Sequence, residues 1–334
     1  NDMILAPGLV DLQVNGGGGL LFNTSPDADS LARIAAAHRR FGTTSLLPAL
    51  ITDTVDVMAQ GIAAVKDAIS NAVLGILGIH LEGPHLNPAR RGVHDAEHMR
   101  TLDHAALEHL CSLDAGKTLV TLAPETVAAD AIAALRRAGV IVCAGHSAAT
   151  YDEVRAAIEA GLSGFTHLFN AMSPMASRAP GMVGAALDDP NTWLGIIADG
   201  HHVHPAVLGI AIRANARGKT VLVSDAMPTV GGTSTTFDLY GEEVRAVDGR
   251  CVTRDGSLAG SDIALVDAVR YLSNQGIVEL PEALRMASAY PAAALGVDDR
   301  LGYIRPGYAA DLVVLGPDLD VSRTWVAGQM EVYD

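Results

Sequence analysis

Three residues of types that bind metal ions stand at or near the ends of strand-like apolar runs. Glu82 ends the run in "GILGIHLE", His146 follows "GVIVCAG", and His167 lies in "GFTHLF". One carboxylate and two imidazoles suit a catalytic Zn²⁺ or a similar divalent ion, with a fourth position left for water. A single one of them would more often be a satisfied polar group at a strand end. Three at equivalent positions predict a metal centre.

A further acidic residue occupies a position suited to proton transfer. Asp225 ends the apolar run in "TVLVSD", and the surrounding sequence supplies no obvious cationic partner. A carboxylate placed there can serve as general base and acid for a water molecule activated by a metal. The alternative role is a helix N-cap, because aspartate is common at that position.

The first strand-like run, in "LVDLQVNGGGG", ends in amides. Gln13 and Asn15 share one face of the strand, because alternate residues of a strand point the same way. Neutral amides bind metals weakly, so this pair predicts a weak second metal site or a contact to substrate. Glycines 16–19 would let the backbone pass close to the mouth of the site.

Eight strand-like runs, most of them followed by an Ala-rich amphipathic segment, must position these residues. Both faces of the runs are apolar, as in parallel strands that are buried on both sides. Eight such units predict an α/β fold, a (β/α)8 TIM barrel, whose chemistry lies at the C-terminal ends of its strands. The predicted strands are 8–15, 43–51, 75–82, 118–123, 139–145, 164–169, 194–199 and 220–225.

The rest of the chain indicates additions to this barrel. After the eighth strand the pattern changes to short antiparallel strands, and single helices are predicted at 261–275 and 281–295. Both chain ends contribute to a small β-sandwich appendage. Because the chain opens at Asn1 and runs almost at once into a strand, we expect an upstream segment outside this numbering. The predicted divisions are the end of the β domain at 1–6, the barrel at 7–300 with an insertion near 234–258, and C-terminal strands of the β domain at 301–334.

The composition restricts the classes of partner. The 334 residues carry a formal net charge of −15, which lacks the basic footprint of a protein that binds nucleic acid or an anionic membrane. No uninterrupted apolar run is long enough to span a bilayer. The three widely spaced cysteines favour a reducing cytoplasm over a disulfide framework. None of the three lysines ends a predicted strand, which excludes a lysine bridge between two metals.

The motifs resemble the amidohydrolase superfamily and, within it, the N-acetylglucosamine-6-phosphate deacetylases, over essentially the whole chain. The resemblance implies hydrolysis of N-acetyl-D-glucosamine 6-phosphate to D-glucosamine 6-phosphate and acetate, in amino-sugar catabolism and cell-wall recycling. It also implies a cytoplasmic homodimer or homotetramer. The motifs are "PGLVDLQVNG", "HLEGPHLNPARRGVH", "AGHSAAT", "THLFNAM", "GIIADGHHVH", "LVSDAM" and "GYIRPGYAADLVVL".

The same resemblance implies roles for single residues. One divalent ion per subunit, with Zn as the first choice and Fe or Co as alternatives, would be held by the glutamate and two histidines named first, and the acid/base would be Asp225. The residues that would meet the substrate are His94 at the acetyl carbonyl, Asn170 and Ala171 through backbone groups, and His202 and Arg178 at the phosphate, with Arg178 reaching in from a neighbouring subunit.

Two alternatives remain open from the sequence. The same residues would serve a deacetylase of a related N-acyl sugar phosphate, such as N-acetylgalactosamine 6-phosphate. A catalytically inactive barrel that acts as a binding module is the other alternative. It draws on "QVN" at 13–15, where most of the superfamily has His-x-His. The retained metal ligands and acid/base residue argue against it.

Overall fold

Strands and helices alternate along most of the chain. The computed structural model describes residues 3–333, so Asn1, Asp2 and Asp334 of the predicted end segments lie outside the described residues. The strands are β1 Ile4–Pro7, β2 Leu9–Val14, β3 Gly16–Gly17, β4 Leu20–Leu21, β5 Thr43–Ile51, β6 Gly78–Glu82, β7 Lys117–Leu122, β8 Ile141–Ala144, β9 Gly164–Phe165, β10 Trp193–Ile196, β11 Thr220–Leu222, β12 Thr236–Leu239, β13 Glu242–Val247, β14 Arg250–Val252, β15 Leu258–Ser261, β16 Leu312–Leu315, β17 Val321–Val326 and β18 Gln329–Val332.

The helices fall between the strands and after them. Short 3₁₀ turns add to them at 22–24, 88–90, 96–98 and 124–126. The α-helices are α1 Ala28–Arg39, α2 Val55–Ser70, α3 His104–Leu110, α4 Ala129–Arg137, α5 Tyr151–Ala160, α6 Gly181–Asp188, α7 Pro205–Ala214, α8 Leu265–Asn274, α9 Leu280–Met286 and α10 Ala289–Ala294.

Eight parallel strands form the barrel. Their spatial order is β2, β5, β6, β7, β8, β9, β10 and β11, which is also their order along the chain. The ring closes where the Asp225 N–H donates to the Gln13 carbonyl at 3.0 Å and the Asn15 N–H donates to the Ala226 carbonyl at 2.9 Å. All eight predicted strands are therefore present, and the TIM barrel is confirmed. Among the predicted bounds, those of the sixth and eighth strands are too long, because β9 ends at Phe165 and β11 at Leu222, so His167 and Asp225 lie in the segments that follow these strands.

Local sequence explains how the units alternate. All nine side chains of β5 are buried, as expected of a parallel strand covered on both faces. Helix α5 begins at a capping box, in which Thr150 and Glu153 each bond the other's backbone N–H. It ends at Gly161, whose φ of 118° lies in the left-handed region that glycine enters without a steric penalty.

The predicted β insertion is an antiparallel sheet of β12, β13, β14 and β15. Its last strand returns to the barrel, since the Ser261 N–H donates to the Asp225 carbonyl at 2.9 Å. A side chain at Gly260 would meet that same carbonyl at 2.9 Å, so the close approach requires glycine. The insertion thereby lies at the end of the eighth barrel strand.

One predicted helix is wrong in its extent. The single helix expected at 281–295 is two helices, α9 and α10, because the backbone leaves the helical region at Ser288. Pro291 follows within the first turn of α10, where its missing N–H costs no hydrogen bond.

The chain ends meet in a small antiparallel sheet, in the order β1, β16, β17 and β18. The predicted appendage made by the chain ends is therefore present beside the barrel. The domain boundaries at 6 and 301 stay predictions. Within residues 3–333, no helix is both long enough and apolar enough to cross a bilayer.

Candidate active site

The three predicted metal ligands converge at the C-terminal mouth of the barrel. Glu82 is the last residue of β6, and His146 and His167 follow the ends of β8 and β9. The Nε2 atoms of His146 and His167 lie 3.2 Å and 2.9 Å from Glu82 Oε1. The two Nε2 atoms lie 3.1 Å apart. All three residues are buried, so each ligand atom points into one small polar space.

The tautomer of His146 fits a metal ligand. Its Nδ1 lies 2.9 Å from the Arg90 carbonyl oxygen, which can only accept, so Nδ1 carries the proton. The Nε2 of a neutral His146 therefore presents a lone pair to Glu82 and His167. Outer hydrogen bonds of this kind orient the histidine ligands of metals. The donor set is thus suited to a divalent ion such as zinc.

The carboxyl of Glu82 and the two imidazoles next to it affect one another's pKa values. Burial alone would raise the pKa of the Glu82 carboxyl, but the two neighbouring imidazoles, His146 and His167, outweigh burial and hold that pKa well below its usual range. Burial opposes the charged form of His167, yet its contact with Glu82 raises the pKa of the imidazole. The carboxylate is therefore ionised and available to a cation.

Three of the site residues adopt left-handed backbone conformations. His146, His167 and Asp225 have φ values of 47°, 32° and 54°. Such conformations cost of the order of 1–3 kcal/mol for non-glycine residues and persist where the surrounding structure enforces them. Because each lies just after a barrel strand, the unusual conformation turns its side chain into the mouth.

The amides of the first strand bind the two carboxylates. The Gln13 Nε2 donates to Glu82 Oε2 at 2.9 Å and to Asp225 Oδ1 at 3.0 Å. The Asn15 Nδ2 donates to the same Asp225 oxygen at 2.7 Å. The prediction of a weak second metal site or substrate contact stays untested. In this arrangement the amides supply donors where a second cation would need acceptors.

Asp225 has the properties of a proton-transfer group. Burial, and after it the negative charge of Glu82, raise the pKa of its carboxyl to about 6. A pKa close to the working pH lets one group both take and return a proton. Its side chain makes no N-cap hydrogen bond to a helix, so the alternative role weighed from sequence has no support within residues 3–333.

His94 is buried beside the cluster. Its ring centroid lies 4.3 Å from that of His146, and its Nε2 lies 4.0 Å from Glu82 Oε1. Burial, and after it the nearby His146, lower the pKa of His94 to about 3, so the imidazole is neutral. It can donate a hydrogen bond but is a poor general base.

A cavity of about 170 Å³ opens above these residues. Its wall includes Met227 and the segment 258–260, which sequence reasoning missed. Their apolar character gave no signal. Met227 lies two positions after Asp225, and the return of β15 to the barrel brings the segment 258–260 there. The predicted residues that line the cavity are Asn15, Glu82, His94, His146, His167, Asn170, Ala171, His202 and Asp225.

Of the two side chains predicted to contact phosphate, His202 lies at the cavity and Arg178 does not. His202 lines the cavity, and its Nδ1 lies 2.6 Å from Asp199 Oδ2. Burial would raise the pKa of Asp199, but the bond from His202 outweighs it and lowers that pKa. Arg178 is exposed on the loop before α6 and does not belong to the cavity wall.

Known proteins share both the sequence and the fold. The Amidohydrolase family matches residues 4–330. The N-acetylgalactosamine-6-phosphate deacetylase of Shewanella sp. (strain ANA-3) is 44% identical over 326 residues, which are 98% of this chain and 82% of that relative. The N-acetylglucosamine-6-phosphate deacetylase of Haemophilus influenzae is 33% identical over 329 residues, 97% of this chain and 86% of that relative.

A solved structure extends the likeness to the backbone. The crystal structure of N-acetylglucosamine-6-phosphate deacetylase from Pasteurella multocida superimposes with a TM-score of 0.95 at 36% identity, over 98% of this chain and 86% of that one. The family match spans nearly the whole described chain, and the barrel presents a metal-ligand set at its mouth. The chain belongs to the amidohydrolase family.

Proposed function

We propose that this protein is a metal-dependent deacetylase that hydrolyses the acetamide of N-acetyl-D-glucosamine 6-phosphate, giving D-glucosamine 6-phosphate and acetate. The observation that carries the proposal is the convergence of Glu82, His146 and His167 beside Asp225 in one cavity. The names of relatives that match almost the whole chain support a phosphorylated amino sugar as substrate. The reaction belongs to amino-sugar catabolism, and we place it in the cytoplasm, where the three free cysteines would stay reduced.

We propose one divalent ion per chain, zinc in preference to iron or cobalt, held by Glu82 Oε1 and the two Nε2 atoms of His146 and His167. When bound, the ion supplies Lewis acidity and makes water a nucleophile at neutral pH. The chain's own contribution is to hold the three ligand atoms together in a buried space, where electrostatic effects are stronger than in water.

Asp225 performs the proton transfers. Both amide donors bind its Oδ1, so its orientation is fixed while Oδ2 is left for the proton. Asp225 takes a proton from the attacking water as the C–O bond forms at the acetamide carbon. It then delivers that proton to the nitrogen as the C–N bond breaks. His94 donates to the acyl oxygen, where negative charge develops.

The sugar phosphate is bound at the other side of the cavity. His202, held by Asp199, faces the cavity beside Asn170 and Ala171. Ala171 has a φ of 52°, and such an irregular turn can direct backbone groups towards a ligand. The exposed Arg178 completes the phosphate site of a neighbouring subunit in a homodimer or homotetramer.

Substitution of Arg178 tests phosphate binding separately from the hydrolysis step. Arg178→Ala is expected to raise KM for the phosphorylated sugar by about 10-fold or more, because a charge-assisted contact to phosphate is lost. It should leave the slow rate on unphosphorylated N-acetylglucosamine unchanged. The matched control is Arg323→Ala, an exposed arginine on β17. An unchanged KM for the phosphorylated sugar would contradict the role of Arg178.

The second candidate substrate is the galactosamine epimer. It is favoured by the 44% identity to a relative that is named for N-acetylgalactosamine 6-phosphate. Acetate release should be measured from both epimers at equal enzyme and metal concentrations. We expect the higher kcat/KM with the glucosamine substrate. A higher kcat/KM with the galactosamine substrate would make N-acetylgalactosamine 6-phosphate the substrate in place of the glucosamine epimer. If neither epimer released acetate, the result would support the inactive binding module.

A further inference from the structure

A buried threonine contacts the imidazole that faces the substrate. Thr52 directly follows β5 and is fully buried. Its Oγ1 lies 2.9 Å from His94 Nδ1, and its backbone N–H points at the same nitrogen at a longer 3.4 Å. The hydroxyl and the backbone N–H of Thr52 therefore both contact Nδ1, the ring nitrogen of His94 that lies away from Glu82.

This contact fixes the tautomer of His94. A buried backbone N–H needs an acceptor, and His94 Nδ1 is the acceptor that residues 3–333 provide for Thr52. A proton on Nδ1 would face that N–H, so this longer and weaker contact favours a lone pair on Nδ1. The Thr52 hydroxyl then donates to Nδ1 over 2.9 Å rather than to the Glu82 carbonyl at 3.4 Å. In a neutral imidazole, the proton consequently lies on Nε2.

The other ring nitrogen of His94, Nε2, lies on the side of the metal ligands. His94 lines the cavity, and its Nε2 lies 4.0 Å from Glu82 Oε1. With a proton on that atom, His94 is a fixed hydrogen-bond donor beside the metal ligands. The opposite tautomer would present a lone pair to the developing oxyanion and would repel it.

The inserted sheet holds Thr52 from the other side. Tyr240 donates its hydroxyl to the Thr52 carbonyl at 2.5 Å, across 188 positions of sequence. Tyr240 and Gly241 form the two-residue turn between β12 and β13, and Tyr240 takes a φ of 54°. A left-handed conformation is unfavourable for a bulky residue, so other interactions must compensate for it.

We propose that Thr52 is a positioning residue, which holds His94 with its proton on Nε2 so that the imidazole donates to the acyl oxygen, and that Tyr240 holds Thr52 in place. The hydrogen bond from His94 to the acyl oxygen of the substrate rests on the proposed deacetylation. The tautomer itself does not, because it follows from the contacts among these three residues.

Nitrogen-15 spectroscopy of the zinc-loaded protein reads the tautomer directly. Long-range ¹H–¹⁵N correlations distinguish a protonated Nε2 from a protonated Nδ1, and the signal lost in His94→Gln identifies His94 among the 12 histidines. We expect a protonated Nε2 in the wild type. Thr52→Val should shift the population towards Nδ1–H, and Thr52→Ser should restore the wild-type pattern, because serine keeps the hydroxyl.

Steady-state rates provide the second readout. Thr52→Val is expected to lower kcat by about 10-fold, with KM changed less than about 3-fold. This loss in kcat is smaller than the roughly 10²–10³-fold loss on removing a whole oxyanion donor, because His94 itself remains. Thr52→Ser should recover most of the rate, and Tyr240→Phe should show a smaller loss. The control is Thr101→Val, at an exposed threonine outside the site.

Several results would overturn the proposal. A wild-type spectrum with the proton on Nδ1 of His94 would do so without any variant, even if Thr52→Val failed to fold. A folded Thr52→Val protein with an unchanged spectrum and unchanged kcat would also do so. If the wild type released no acetate from either epimer, the proposed function would fail, while the spectrum would still decide the tautomer.

Discussion

Replacing Asp225 with Asn is expected to lower kcat for deacetylation by about 10³-fold, within the range that general acid–base groups contribute. Asparagine keeps the side-chain oxygen that accepts from Gln13 and Asn15, so the local structure should be preserved. What it loses is the ability to take a proton from water and return it to the departing amine. Stopped assays of acetate release measure the change.

The same variant should retain its metal and its substrate affinity. Bound metal is counted by elemental analysis, and substrate affinity is measured by calorimetry, since slow turnover then allows it. The matched control is Asp114→Asn, which removes a carboxylate that is 65% exposed and paired with Lys66 at the surface. Near-native kcat in Asp225→Asn would show that another group moves the proton.

Replacing Glu82 with Gln is expected to remove both stoichiometric metal and activity. Glutamine has the same shape, but it lacks the negative charge that two imidazoles face at 3.2 Å and 2.9 Å. The loss of several kcal/mol of Lewis-acid stabilisation corresponds to at least about 10³-fold in rate. Elemental analysis and acetate release, measured on the same preparation, test both effects.

The control for this variant is Glu108→Gln, at a side chain that is 69% exposed on α3. It makes the same chemical change far from the cavity and should leave both quantities unaltered. Full metal content together with full activity in Glu82→Gln would mean that Glu82 is not a ligand that the reaction needs.

The barrel and the ligand triad were accessible from sequence because simple patterns encode them. Strands buried on both faces appear as apolar runs, and this fold brings the ends of those runs to one rim. Polar residues at the ends of the runs, such as Glu82 and His146, could therefore be assigned to one place. The single helix predicted at 281–295 failed because helical periodicity continues across Ser288, whose backbone conformation does not appear in the pattern.

Contacts between distant segments could not be read in the same way. Nothing near Thr52 indicates that Tyr240 reaches its carbonyl, since the two meet only after the inserted sheet folds back. The partners of Gln13 were likewise hidden, because only the folded barrel brings its amide against Glu82 and Asp225. Left-handed conformations at three site residues are also enforced by tertiary structure rather than by local sequence.

Metal titration of the stripped enzyme is the most direct test of the proposed chemistry. The purified protein is treated with a chelator, freed of it, and titrated with Zn²⁺ while acetate release from N-acetyl-D-glucosamine 6-phosphate and bound zinc are measured together. We predict that activity is abolished by the chelator, rises in proportion to bound zinc, and reaches its maximum at one ion per chain. Full acetate release by the metal-free protein would contradict a reaction that depends on a metal held by Glu82, His146 and His167.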